Sequence, residues 1–363
     1  MPDRQIPLVV SEGVPYARGL HLGRAQAQRV NQTVSAYREL FKARAGLDHA
    51  GVLNTAERFI PLIRAYAPHL LEEMRGIAEG AGHDLREIVA INSRTELMYG
   101  VPFGECTSLG VTPEASSDGH MRLAQNWDWK PPLAGALVLW AIRRDDGPDV
   151  LTLTEAGMVG KIGVNASGFA MCVNLLTSDL DTGQAAVPMH IILRRVLEEA
   201  HGVDEAIALI GAAKRQTSCN HLIADRGGHL ADVEATPFGR QVLSPTRGVL
   251  AHANHCLDGE LALHDRYVRD QPETLARSQR ATLLAEEPPI DEARLRSILS
   301  DHATAPNSIC LHVQTDLPPD QQDESIASLI FDLTAGTLDI ADGPPCQYPY
   351  RRLMLGDHIR IVD

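Results

Sequence analysis

The chain has 363 residues, 44% of them hydrophobic, enough to bury one large core or two modest ones. A formal net charge of -14 with no concentration of Lys and Arg excludes the phosphate-binding surface that a nucleic-acid partner requires. The early apolar run Ile6–Val10 is too short for a signal-peptide core, and no stretch approaches the roughly 18 apolar residues of a membrane helix. Cytoplasmic residence, a small-molecule substrate and no membrane partner are therefore expected.

From Gly19 to Glu96 apolar residues recur at three- and four-residue intervals between faces rich in Arg and Glu, which predicts helices, with Gly80 and Gly82 as a stop. The texture changes at Cys106. HMRLAQNWDW, ALVLWAIRR, DVLTLTEAG, KIGVNASGFAMCVNLL, HLIADRGGHLADVEAT and ASLIFDLTAGTLDIAD are short, apolar or alternating, and broken by Gly, Asn and Asp, as strands joined by hairpins are. VPMHIILRRVLEEAHGVDEAIALIGAA interrupts them as a helical pair, and Pro318 to Asp323 reads as an exposed polar loop. Runs of strands with inserted helices, without strict alternation, indicate an α+β layered fold. No repeat, heptad pattern or flexible linker divides the chain.

Three segments carry candidate chemistry. In FGECTSLGV, residues 103–111, a cysteine opens the first strand after the helical leader, where a thiol can be presented at a strand's beginning. The other cysteines, Cys172, Cys219, Cys256, Cys310 and Cys346, have no CxxC spacing and read as free thiols. In AQNWDW, residues 124–129, Asp128 stands between two tryptophans on the return strand of a hairpin whose turn is SSDG; a carboxylate there must be hydrogen-bonded or paired unless it faces solvent. In AHANHC, residues 251–256, the amide of Asn254 is a candidate donor to a developing oxyanion. A metal reading of His252, His255 and Cys256 lacks the second clustered pair that a closed zinc site needs, so no metal is expected. Glu155 and Lys161 read either as a pocket wall or as a solvated pair, Glu234 as a buried hydrogen-bonding carboxylate, and His190 as structural.

Together with SRTELMYG (93–100), LTEAGMVGKIGVNASGFAMCVNLL (153–176), VPMHIILRRVLE (187–198) and PNSICLH (306–312), these segments resemble, in order and over most of the chain, the isopenicillin-N acyltransferase family of cysteine N-terminal nucleophile hydrolases. The resemblance implies a four-layer αββα sandwich in which residues 1–105 form a helical small subunit and 106–363 the catalytic core of one integrated unit. It implies autocatalytic cleavage between Glu105 and Cys106, with Cys106 becoming the nucleophile and Asp128 orienting the new terminus. Asn254 is implied as the side-chain oxyanion donor, and Asn174 as lining the same pocket. Arg94 and Glu96 match the family's RTE and are expected to lock the helical part onto the core.

Three departures refine the expectation. Glu105 stands where the family usually has Gly, from which slow processing is expected. Leu311 follows SIC where the penicillin-forming enzymes carry Arg, which argues against 6-aminopenicillanic acid as substrate. Gln125 stands where bile-salt and penicillin V hydrolases have Arg, as in the acyltransferase branch, and with Glu155 is a candidate substrate-binding residue. The leading expectation is a cysteine amidohydrolase acting on a small N-acyl amide through a Cys106 acyl-thioester, without a cofactor. An acyl-coenzyme A dependent N-acyltransferase would use the same residues, with acyl-coenzyme A as substrate. Glu105 also keeps open an unprocessed, non-catalytic binding homologue. Oligomeric state is not legible.

Overall fold

A computed structural model describes residues 4–100, 105–257 and 259–356; the side chain of Glu105 lies outside the described residues. The leader begins with strand β1 (Leu8–Ser11) and continues through helices α1 (Pro15–Ala25), α2 (Ala27–Ala45), α3 (His49–Glu57), α4 (Ile60–Tyr66), α5 (Pro68–Ala81), α6 (Leu85–Asn92) and α7 (Arg94–Leu97). Their ends follow local chemistry. Proline opens α1 and α5, where its missing N–H costs nothing, Gly46 and Gly82 close α2 and α5 in the left-handed conformation, and Asp84 with Glu87 forms a capping box on α6. Helices α1 and α5 lie backbone against backbone. A Cβ on Gly19 would fall 1.9 Å from the Glu73 carbonyl oxygen and one on Gly76 would fall 2.1 Å from that of Tyr16, so only glycine permits the approach.

The remaining elements are β2 (Glu105–Val111), β3 (Arg122–Trp129), β4 (Leu137–Ile142), β5 (Val150–Glu155), β6 (Ile162–Asn165), β7 (Phe169–Leu175), α8 (Met189–Glu199), α9 (Val203–Ala212), β8 (Cys219–Asp225), β9 (Leu230–Thr236), β10 (Gly239–Leu243), β11 (Val249–His252), α10 (Gly259–Ala262), α11 (Tyr267–Asp270), α12 (Glu273–Ala285), α13 (Glu292–Leu299), β12 (Glu324–Asp332), β13 (Thr337–Ala341) and β14 (Arg351–Met354). An eight-stranded sheet runs in the order β1-β4-β5-β6-β7-β8-β9-β10, and a six-stranded sheet runs β11-β2-β3-β12-β13-β14. Strands β2 and β3 lie against β7 and β8 across the interface between the sheets. The leader helices with α8 and α9 cover the outside of the larger sheet, and α12 and α13 cover the smaller one. This is the expected α+β, four-layer αββα sandwich.

The predicted strands and the helical pair all form. The leader adds one feature: β1 pairs in parallel with β4, Leu8 opposite Leu139 through Ser11 opposite Ile142, so the part read as helical also supplies an edge strand. Sequence reading passed over 257–300, which holds α10 to α13 and the outer cover of the smaller sheet. That cover explains why every residue of β3 is buried, where a half-buried strand would alternate. Among the described residues no helix is long and apolar enough to cross a membrane.

Charged groups in the core join leader to sheet. Arg194 on α8 contacts Glu73 of α5 at 3.0 Å and Glu198 at 2.9 Å, with all three side chains shielded from solvent, and Arg18 of α1 donates to Glu73 at 3.0 Å. Removing one partner strands the other charges in a medium that solvates them poorly. Arg194→Met is therefore expected to lower unfolding free energy by about 3–5 kcal/mol, read by urea denaturation. An unchanged midpoint would sink this view of the network.

Candidate active site

The hairpin of β2 and β3 arranges the site. Its antiparallel register places Cys106 opposite Trp127, Ser108 opposite Gln125 and Thr107 opposite Asn126, while Glu105 lies opposite Asp128. Directly opposed residues share a face, so Cys106, Ser108, Gln125 and Trp127 look inward between the sheets while Thr107, Asn126 and Asp128 look toward α12 and α13. Glu105 has the extended, paired backbone of a strand residue, a conformation open to any side chain; the stretch 101–104 lies outside the described residues.

The backbone of Cys106 is gripped on both sides. Its N–H donates to Asn254 Oδ1 at 2.8 Å, and its carbonyl oxygen accepts from Arg277 Nη1 at 2.7 Å. Arg277 also donates to Thr107 Oγ1 at 3.1 Å and, through Nη2, to Asn254 Oδ1 at 3.1 Å. Asn254 Nδ2 donates to the Leu175 carbonyl at 3.0 Å, and its own N–H donates to Thr274 Oγ1 at 2.9 Å. The side chain expected to offer its amide nitrogen to an oxyanion thus turns its carbonyl oxygen to the Cys106 nitrogen in the continuous chain. Arg277, fully buried on α12, is the residue that sequence reading missed; ETLARSQRATLLA reads as an ordinary amphipathic helix and carries no motif.

On the inner face, Lys161 lays its Nζ 3.4 Å from the centre of the Trp127 ring and 5.6 Å from that of Trp129. Because Trp127 and Cys106 are cross-strand neighbours, this puts an amine beside the thiol. Burial, aided by the nearby Arg94 guanidinium, lowers the Lys161 pKa to about 7, against the pull of Glu155 and Cys106. Burial and the charge of Asp128 push the Cys106 thiol up to about 11, opposed by Lys161 and Arg277. The thiol is therefore protonated at neutral pH, and the neighbouring lysine is poised near neutrality. Of the two sequence readings of Lys161, the solvated pair is the one the structure rejects, since the side chain is buried.

Asp128 accepts from Ser325 Oγ at 2.6 Å on the outward face, a partner absent from the sequence reading because β12 joins β3 from far along the chain. Asn174 Oδ1 accepts from Ser108 Oγ at 2.7 Å, two residues beyond Cys106 on the same face. Gln125 spends its amide on the backbone of Val173, donating at 2.6 Å and accepting at 3.0 Å, and so clamps β3 to β7 across the sheets. Glu155 accepts from Tyr37 Oη at 2.7 Å beneath Trp129, whose indole also reaches that hydroxyl at 3.0 Å. Arg94 stacks 4.1 Å from the Trp129 ring. Glu96 receives the Met189 N–H at the start of α8 at 2.8 Å and the Thr217 hydroxyl at 3.1 Å; burial raises its pKa to about 7. Leader and core therefore meet through these side chains.

The metal reading around AHANHC finds no geometric support among the described residues. His252 Nε2 contacts Glu234 at 3.0 Å and His255 Nδ1 contacts Thr274 Oγ1 at 3.0 Å, while Cys256 is held by its backbone to Asp265. Burial pulls the His252 pKa down, but Asp232 and Glu234 outweigh it and hold it above the ordinary value. His190, buried on α8, contacts the Gly160 carbonyl.

A buried cysteine at the start of a central strand of an αββα sandwich, with its backbone nitrogen held by a buried amide, defines a cysteine N-terminal nucleophile hydrolase or acyltransferase. The chain belongs to the acyl-coenzyme A:6-aminopenicillanic acid acyl-transferase family, whose model matches residues 115–346. That span begins after Cys106 and contains Asp128, Asn174, Asn254 and Arg277. The chain is 28% identical over 254 residues to the acyl-coenzyme A:6-aminopenicillanic-acid-acyltransferase 40 kDa form of Emericella nidulans, covering 69% of each chain. It is 24% identical over 247 residues to protein dcd1A of Dictyostelium discoideum, covering 60% of this chain and 55% of that one. Among solved structures, penicillin V acylase from Agrobacterium tumefaciens is similar over 71% of this chain and 94% of its own, at 17% identity and a TM-score of 0.46. A variant of conjugated bile acid hydrolase from Clostridium perfringens is similar over 69% and 92%, at 13% identity and a TM-score of 0.46.

Proposed function

We propose that Cys106 acts twice, first on the chain's own backbone and then on a small N-acyl amide. The observation that carries this is the double grip on its backbone by Asn254 and Arg277, two fully buried polar side chains that a merely structural cysteine would not require. In the first reaction the Cys106 sulfur attacks the carbonyl carbon of Glu105. The Glu105–Cys106 C–N bond breaks as the C–S bond forms, and the thiol proton passes through neutral Lys161 to the departing Cys106 nitrogen. Water hydrolyses the thioester. The products are the Glu105 carboxylate and a Cys106 that carries a free α-amine.

That amine stays beside Asn254 Oδ1, and with a reference pKa of about 7.7–8.0 it is a competent base at neutral pH. It removes the thiol proton as sulfur attacks the substrate carbonyl, and returns it to the leaving amine. Asp128, fixed by Ser325, orients the terminus, and the second N–H of the Asn254 amide, the first being held by the Leu175 carbonyl, is the side-chain donor to the oxyanion, with Asn174 lining the pocket. Gln125 acts as its support, since both ends of its amide are paired with Val173, and Glu155 holds the Tyr37 hydroxyl through Oε1. Asn254→Ala is expected to lower kcat about 10²–10³-fold with KM little changed, as loss of a preorganised oxyanion donor does. A change confined to KM would overturn that assignment.

Residues 1–105 remain as a non-covalent small subunit, held by the β1–β4 pairing and the Arg194 cluster. Leu311 is buried and uncharged, so the carboxylate of 6-aminopenicillanic acid would find no guanidinium there and other N-acyl compounds are preferred. Cytoplasmic action is supported by the acidic charge and by six cysteines with no disulfide between them. A second reading, acyl transfer from acyl-coenzyme A to an amine, is favoured by the name of the Emericella nidulans relative. Intact mass of the purified protein is expected to give two fragments that together equal 39.5 kDa plus one water. The processed protein, given N-acyl amides with and without an added amine, separates released acid from a new amide. A chain that stays whole and takes up no acyl group would leave only the binding homologue.

A further inference from the structure

Away from Cys106, four side chains from two loops converge. His302 and His312 face each other with their Nε2 atoms 3.0 Å apart, Cys310 and Cys346 hold their sulfurs 3.6 Å apart, and His312 Nε2 lies 3.2 Å from the Cys346 sulfur and 3.8 Å from that of Cys310. All four potential ligand atoms fall within 4.8 Å of one another. In a tetrahedral zinc site with Zn–S of about 2.3 Å and Zn–N of about 2.0–2.1 Å, the ligand-to-ligand edges are about 3.8 Å for S–S, 3.6 Å for S–N and 3.3 Å for N–N. Four of the six separations, the S–S, the N–N and the two from His312 to sulfur, are within about half an ångström of these edges, and the two from His302 to the sulfurs fall within 4.8 Å.

We propose that His302, Cys310, His312 and Cys346 form a Cys2His2 site for a structural zinc ion. Two thiolates and two imidazoles are the donor set that zinc takes in closed structural sites, and four protein ligands leave no open position for a substrate. Gln347 Nε2 lies 3.5 Å from His312 Nδ1; with Nε2 on the metal, Nδ1 carries the proton, and the Gln347 amide turned over offers its carbonyl oxygen as the acceptor. Sequence spacing hid the set, because Cys346 comes from the turn after β13 and the other three from the loop after α13.

The site abuts the part of the core that positions Asp128. Leu311, between two of the ligands, donates its N–H to Ser325 Oγ at 3.0 Å and accepts the Ser325 N–H at 3.0 Å, and that same hydroxyl donates to Asp128. A metal fixing residues 310 and 312 would hold the Ser325 hydroxyl in place from behind the catalytic hairpin. The proposal does not depend on Cys106 being a nucleophile.

The test uses full-length protein made with zinc supplementation and purified under reducing conditions without chelator. Metal analysis is expected to find one zinc per chain in the wild type and less than a tenth of that in the double variant His302→Ala/Cys346→Ser, which alters the two exposed ligands and spares the buried Cys310. Cobalt loaded in place of zinc is expected to give intense sulfur-to-metal charge-transfer bands and the visible bands of a tetrahedral ion, both lost in the variant. If the variant does not fold, a chromophoric chelator that competes for zinc from the wild type, with a fall in its melting temperature as metal leaves, provides the same information. Wild-type protein that retains well under one equivalent after added zinc and removal of loose ion overturns the proposal. So does a thiol count in denaturant two short of six that reduction restores, which would mean a Cys310–Cys346 disulfide.

Discussion

Cys106→Ala is expected to leave the 39.5 kDa chain whole and to reduce turnover of every N-acyl amide to background. Both effects would have one origin, since in the proposed reactions the sulfur that attacks Glu105 is the sulfur that attacks the substrate. Removing the nucleophile from a comparable catalytic unit costs on the order of 10⁶ in kcat, and here the loss of processing also withholds the α-amine base. Cys106 is buried, but Ala removes only its sulfur atom, so the fold is expected to persist, as circular dichroism checks. A variant that still splits between Glu105 and Cys106 would end the case for self-cleavage. The paired, extended backbone at Glu105 means that replacing it by Gly relieves no backbone strain there.

Lys161→Met carries the second large effect. In the wild type, burial and Arg94 lower the lysine pKa to about 7, so its neutral, proton-accepting fraction rises as pH increases through 7. Processing is expected to accelerate over the same interval. The variant is expected to process about 10²–10⁴-fold more slowly, the usual range for loss of a positioned base, with that rise abolished. Stability supplies an independent sign. An unfolded lysine titrates near 10.4, so between about pH 7 and 10 the unfolded chain binds more protons than the native one, and native stability grows as pH rises through that window. Below pH 7 the ammonium is buried in the native state at its full cost, and Met at this position should stabilise the protein there. A mass-spectrometric time course of cleavage from pH 6 to 8, beside urea titrations of both proteins, reads the two effects. If the variant keeps the wild-type pH profile, Lys161 is not the proton acceptor.

What the sequence disclosed of the site was residue identity, and what it withheld was direction. Cys106, Asp128 and Asn254 stood out because a strand-opening cysteine, a carboxylate between tryptophans and an amide after a strand are unusual in apolar surroundings. Their orientations came from register and distant partners: Asp128 faces outward because it alternates with Trp127, which lies opposite Cys106, and Ser325 meets it only because β12 pairs with β3. Alternation could not show that Lys161 is buried, since both faces of its neighbours are covered. Arg277 was invisible because a guanidinium on an amphipathic helix reads as surface until α12 is seen to lie against β2. The fold was more legible, since hydrophobic period separates helix from strand over many residues at once. The exception in the leader was β1, four residues whose pairing partner lies beyond residue 136.

That short strand has a consequence for how the two pieces can exist apart. β1 occupies the open side of β4, whose residues are buried and largely apolar. A core lacking residues 1–105 would present a bare row of backbone donors and acceptors flanked by Leu139 and Trp140, a template for edge-to-edge association between copies. The leader is thus a guard on the sheet's margin, and the cut proposed before Cys106 would free an amine without freeing a subunit.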